Sequence, residues 1–182
     1  MDDAQATLGR SGALAVADAW FVRLNRWVVI ALMATMAVLV FANVVSRYVF
    51  NYSIIWVEEL TRYMMVWVGF IGSGLVLRYG AHIAVDAFQD LLPERAAQVL
   101  RAVIVLVLAT AFGAMTWLGF QYVNFAWDQE TPVLNWNFGI VYLAIPIGSA
   151  LMLVHLLCIA KQYVIARKFQ KTEAFSVEDA VL

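Results

Sequence analysis

The sequence predicts an all-α integral membrane protein with four transmembrane helices, an N-terminal interfacial helix and a membrane-parallel arm helix between spans two and three. Three observations carry this. The 182 residues are 64% hydrophobic and only 14% charged, with a mean hydropathy of +0.79, against about 45–50% apolar and about 25% charged in soluble domains. The apolar excess is gathered into four long runs, which a bilayer explains and an aqueous core does not. The basic residues are confined to alternate connections, as the positive-inside rule requires of a multi-pass chain.

Residues 13–26, ALAVADAWFVRLNR, mix apolar bulk with Arg23 and Arg26 and read as an interfacial helix on the inner leaflet. No cleavable leader is expected, because the opening MDDAQATLGRSG is acidic and polar. Trp27 to Ser46 is free of charge for 20 residues and closes at Arg47. Span one is placed at 27–47.

Span two is placed at 54–77. Its charge-free part, Tyr63 to Leu77, has only 15 residues, so the turns carrying Glu58, Glu59 and Arg62 must be helical too. The whole segment then measures roughly 36 Å at about 1.5 Å per residue. Residues 80–92, GAHIAVDAFQDLL, set Asp86, Gln89 and Asp90 on one side and apolar residues over the rest, which predicts the arm helix.

Span three is placed at 101–127, where Ala102 to Trp127 holds 26 residues without a charge. Pro93 and Glu94 suit a first helical turn, where proline loses no hydrogen bond and a carboxylate meets the positive dipole end. A helix starting there is longer than one bilayer core of about 30 Å needs, so it projects or tilts. Span four is placed at 138–160, with Pro146 expected to kink it, and 161–182 forms a polar tail.

With the N-terminus inside, ten of the 12 basic residues fall on inner segments. Arg47 alone lies outside, and Arg62 lies within span two. Both termini are therefore expected in the cytoplasm of a bacterial inner-membrane protein. Trp20 and Trp27 mark the inner interface, and Trp56, Trp127 and Trp136 the outer one.

Net charge is −1, which gives no reason to expect nucleic acid. Cys158 is the one cysteine and cannot form an intrachain disulfide. His82 and His155 are the only histidines, and their positions do not clamp a haem. His155 is expected to hydrogen-bond a neighbouring helix. No zinc spacing, phosphate loop or nucleophile–base set occurs, so catalysis is unsupported and no cofactor or metal is expected. Gly69, Gly72 and Gly74 suit close helix packing, with a hinge as the alternative.

The polar group that stands out is Glu58, Glu59 and Arg62. Its acids lie three and four residues before its base, the favourable order, near a helix N-terminus that welcomes negative charge. The plainest reading is a self-neutralising cluster. One arginine does not satisfy two carboxylates, so contact with a partner and an ion or proton site stay open. By this count a cation is missing and is expected on a neighbouring protein. Asp128, Gln129 and Glu130, followed by TPVLNWN with Trp136, predict an ordered outer turn. It is either a solvated loop or a docking surface.

RYVFNYSIIWVEELTRYMMVW at 47–67, RYGAHIAVD at 78–86, TP at 131–132 and YLAIPIG at 142–148 together resemble the small membrane subunit of tripartite ATP-independent periplasmic (TRAP) transporters, the DctQ-like family. The most specific pieces are W-x-E-E-L-x-R-Y and R-x-G-x-H-I-x-V-D, and the likeness runs from about Asn43 to Ala160. It departs from the family at Ile54-Ile55 and at Asn135-Trp136-Asn137.

The resemblance implies sodium-driven uptake of organic acids, with C4-dicarboxylate the most frequent class. Its partners would be a large DctM-like membrane subunit, which would hold the sodium ions, a DctP-like periplasmic binding protein and the phospholipid bilayer. Trp56, Glu58, Glu59 and Arg62 match the family's outer-edge motif. With Arg47, Asp128, Glu130 and Trp136, they are the expected subunit-interface or docking residues. Arg78, Gly80, His82 and Asp86 match the inner-edge motif, and Arg78, His82 and Asp86 are expected to anchor the arm. A homo-oligomeric channel or transporter working without partners, with the carboxylates ringing a pore mouth, is the alternative.

Overall fold

The computed structural model describes residues 12–78 and 93–166. The predicted arm helix at 80–92, with His82 and Asp86, and the tail from 167 lie outside the described residues. Within them the chain is all-α: α1 (Gly12–Val49), α2 (Ile55–Arg78), α3 (Glu94–Ala126), α4 (Phe138–Tyr142) and α5 (Ala144–Ala166). Four helices are long and apolar enough to cross a membrane, the fourth being α4 and α5 in succession. The chain divides into two compact units, Met1–Val68 and Gly69–Leu182.

The first unit holds α1 and the first half of α2. The interfacial segment at 13–26 and span one form a single helix of 38 residues, roughly 57 Å long at about 1.5 Å per residue. Nothing between Ala13 and Val49 interrupts it, because that stretch contains neither proline nor glycine. The polar residues near its start, Arg23 among them, decorate a continuous helix and do not end one. The Arg23 guanidinium lies 5.4 Å from the centroid of the Trp20 ring, a cation–π distance.

α1 stops where Asn51 turns left-handed, with φ of 53°, a conformation asparagine accepts better than most residues. The amides of Phe50 and Tyr52 both donate to the Ser46 carbonyl, at 3.1 and 3.2 Å. The Ser46 hydroxyl returns a bond to the Tyr52 carbonyl at 2.8 Å. The amide of Ile54 donates to Oδ1 of the buried Asn43 at 2.8 Å. The chain reversal is thus fastened to the last turns of α1 before α2 begins.

The second unit holds the end of α2 with α3, α4 and α5. Leu77, Met152, Leu156, Ile159 and Tyr163 form its buried core, flanked by Phe70, Ile104, Leu108 and Phe112. Gly74 and Gly148 allow close helix approach in this core. A Cβ at Gly74 would come within 2.7 Å of His155 Cδ2, and one at Gly148 within 2.5 Å of Phe70 Cβ. Gly69 and Gly72 have nothing within 4 Å of that position. Of the three glycines that the sequence offers for packing in α2, only Gly74 packs closely among the described residues.

α3 is 33 residues long and begins after Pro93, which is its N-cap and not its first helical residue. The Glu94 carboxylate accepts from Arg101 Nη2 at 2.6 Å, and the Arg101 side chain is almost wholly buried. The break between α4 and α5 falls at Leu143. Pro146 has no N–H for the Tyr142 carbonyl, and its ring crowds that carbonyl. The ladder holds on either side, with Leu143 N–H to the Gly139 carbonyl at 2.9 Å and Ile147 N–H to the Leu143 carbonyl at 3.1 Å.

Candidate functional site

The residues of the expected outer-edge motif sit, with Arg47, around the Asn51 reversal. Arg47, in the last turn of α1, reaches across it. Its Nη2 forms an ion pair with Glu58 Oε1 and donates to Ser53 Oγ at 3.2 Å. Both side chains of the pair are about half exposed, at 51% and 48%. Glu59, one residue further, is buried at 7% exposure and accepts from the Tyr63 hydroxyl at 2.6 Å. The Thr61 hydroxyl turns back on its own helix, to the Val57 carbonyl at 2.8 Å. Trp56 is 44% exposed.

This corrects the expected pairing. Glu58 takes Arg47 in place of Arg62, and Glu59 bonds a phenol. The acids are therefore satisfied within the chain, and no cation is missing. Arg62 is the group left over: it is exposed and makes no ion pair among the described residues. Helical spacing hid this, because i,i+3 and i,i+4 counting sees neighbours on one helix only. Arg47 is 11 residues from Glu58. Asn51 before α2 was the available signal, since a left-handed turn folds the end of one helix onto the start of the next.

Arg62 lines a groove between α1 and α2 with a volume of about 680 Å³. Met36, Val40 and Val44 form one wall, while Glu58, Thr61 and Met65 share the other with Arg62. Positions 36, 40 and 44 recur every four residues, and 58, 61, 62 and 65 every three or four, so each wall is one helix face.

Asp128, Glu130 and Trp136 lie in the second unit, on an ordered turn between α3 and α4. Glu130 and Asn137 form an isolated antiparallel bridge. The Thr131 amide donates to the Trp136 carbonyl at 2.8 Å, and the Trp136 amide donates to Thr131 Oγ1 at 2.9 Å. The Asn137 amide group caps the Trp127 carbonyl at 2.7 Å. Asn135 takes the left-handed conformation, φ 52°. Thr131 is buried, and Asp128, Glu130 and Trp136 are exposed around it.

Arg78, the last residue of α2, is 1% exposed, and its Nη1 lies 3.5 Å from Nδ1 of the fully buried His155. His155 thus meets a neighbouring helix at Arg78 and at Gly74. No local pattern signals this pairing, because Arg78 and His155 are 77 residues apart.

Residues 36–164 match the family model for tripartite ATP-independent periplasmic transporters, DctQ component. The chain is 28% identical over 179 residues to the C4-dicarboxylate TRAP transporter small permease protein DctQ of Vibrio cholerae, covering 81% of this chain and 77% of that one. It is 27% identical over 142 residues to the ectoine TRAP transporter small permease protein TeaB of Halomonas elongata, covering 77% and 74%. It is also 24% identical to the sialic acid TRAP transporter permease protein SiaT of Haemophilus influenzae, where 72% of this chain covers 21% of the relative. The family is a transporter component and not an enzyme, and the four apolar helices make this a multi-pass membrane protein of the inner membrane. This chain belongs to the DctQ family, the small permease component of TRAP transporters.

Proposed function

We propose that this chain is the static scaffold of a sodium-driven tripartite uptake system for organic acids. It supports a large transport subunit and helps to dock a periplasmic binding protein. The observation that carries the reading is the match to SiaT, in which most of this chain corresponds to 21% of a transporter permease. In that relative a segment like this chain is joined to a much larger permease portion, which supports a large transport subunit as this chain's partner.

Physical chemistry supports the same division of labour. Transport sites are built from broken helices and polar groups near the midplane. The interruption in span four is packed shut: a Cβ at Gly119 would meet Pro146 Cδ at 2.9 Å. The outer carboxylates are engaged by Arg47 and Tyr63, which leaves them poor ligands for a passing cation. The sodium ions accordingly belong to the large subunit, and this chain needs no cofactor.

Relatives named for C4-dicarboxylate, ectoine and sialic acid share this component, so solute choice is assigned to the partners. The distribution of basic residues supports both termini in the cytoplasm. Trp56, Asp128, Glu130 and Trp136 then face the periplasm, where the binding protein docks.

Reconstitution into proteoliposomes tests the reading. Solute uptake should require this chain, the large subunit, the binding protein and an inward sodium gradient together. Ion or solute flux through this chain alone would establish the partner-free channel instead.

A further inference from the structure

We propose that the α1–α2 groove receives a transmembrane helix of the large permease subunit, and that Arg62 pairs there with a carboxylate on that helix. This rests on the scaffold reading above and gives the docked surface its chemistry. Exposed apolar side chains such as Phe41 and Met65 do not by themselves mark an interface in a membrane chain, because lipid covers them equally well. The charge is what distinguishes this face. Arg62 is a permanent cation on the wall of an otherwise largely apolar groove. The nearby acids are already engaged, Glu58 by Arg47 and Glu59 by Tyr63. An ionised group at membrane depth faces a partner or a cavity because lipid hydrocarbon does not solvate it. Arg62 is the cation left without an ion pair among the described residues, so its complementary group is an anion.

Depth selects a protein carboxylate over a lipid phosphate. Arg62 lies six residues beyond Trp56, about 9 Å further along the helix axis. Tryptophan in this position marks the interface, and lipid phosphates lie outward of it. Glu58 stands one turn above Arg62 on the same face and is already paired with Arg47, so it is not the partner of Arg62. The walls also suit a helix. Two faces with three- and four-residue spacing form a seam into which the side chains of a third helix insert, and Ala37 in that seam allows close approach.

The test uses the whole complex. This chain, tagged, is co-expressed with its large subunit and purified in mild detergent, with fluorescence-detected gel filtration reporting folding of each variant. Arg62→Glu and Arg62→Gln should lower recovery of the large subunit by about 30-fold or more, the scale of a truncated buried charge pair. Arg62→Lys should retain most of it. Reversion of the Arg62→Glu defect by an Asp or Glu to Lys substitution in a transmembrane helix of the large subunit would identify the partner carboxylate.

Thr61→Cys in a Cys158→Ser background leaves Arg62 in place and should cross-link to a cysteine on that same helix. Wild-type recovery with both Arg62→Glu and Arg62→Gln overturns the proposal. So does cross-linking of Thr61→Cys to a second copy of this chain. Loss of a bound anionic phospholipid from the Arg62 variants, seen by native mass spectrometry with the complex intact, overturns it in favour of lipid. If the wild-type chain itself fails to recover the large subunit, the scaffold reading falls, a result distinct from any of these.

Discussion

The Arg47 guanidinium and the Glu58 carboxylate, 11 residues apart, form an ion pair that closes the reversal between α1 and α2. The pair joins the end of one helix to the start of the next, beside the Asn43, Ser46 and Ser53 hydrogen bonds of the same reversal. Because both side chains are about half exposed, solvent screens the pair. Arg47→Ala should lower stability by no more than about 1 kcal/mol. A double-mutant cycle with Glu58→Gln, followed by thermal unfolding in detergent, should give a coupling of the same size. No coupling would place Glu58 with another cation.

Asn51 should tolerate glycine and resist β-branched residues. Its φ of 53° favours residues that accept the left-handed region, and a β-branched side chain there costs about 1–2 kcal/mol. Asn51→Gly should leave the melting temperature unchanged or raise it. Asn51→Val should lower it and loosen the Arg47–Glu58 pair, which amide hydrogen exchange over residues 50–54 would report.

Gly74 and Gly72 should behave differently although they are two residues apart. A methyl group at Gly74 meets His155 Cδ2 at 2.7 Å, and His155 is fully buried, whereas Gly72 has open space. Gly74→Ala should destabilise the second unit by about 1–3 kcal/mol, and Gly72→Ala should be close to neutral. His155→Ala should recover part of the Gly74→Ala loss, as measured by thermal unfolding of the double variant.

Thr131 should hold the outer turn through its hydroxyl. Thr131→Val keeps the volume and removes the acceptor of the Trp136 amide, leaving a part-buried donor without its partner at a cost of about 1–3 kcal/mol. Amide exchange at Trp136 should speed up in this variant while that of α3 stays unchanged. Affinity for the binding protein should fall if this turn is a docking surface.

How far the sequence reached is seen by comparing particular residues. Four membrane-crossing helices were legible because a charge-free run of about 20 residues has few alternatives in any solvent. The interruption by Pro146 was legible because a missing N–H is a local fact. So was the ordered outer turn, from Pro132 and its polar neighbours. The continuity of α1 through residues 13–26 was misread, because an amphipathic stretch looks interfacial while its helix propensity says nothing about where a helix should stop.

By itself the sequence determined the class of the protein, an all-α membrane chain with four helices of spanning length. Only the tertiary structure decided which charges meet. Arg47 reaches Glu58 because Asn51 reverses the chain, and Tyr63 bonds Glu59, so a cluster that appeared to lack a cation gains Arg47 and leaves Arg62 without an ion pair among the described residues. Likewise, spacing put Gly69, Gly72 and Gly74 on offer, and the position of His155 selected Gly74. The physical reason is common to both. Periodicity constrains neighbours three and four residues apart on one helix, whereas pairing between helices depends on turn geometry and packing that no local pattern encodes.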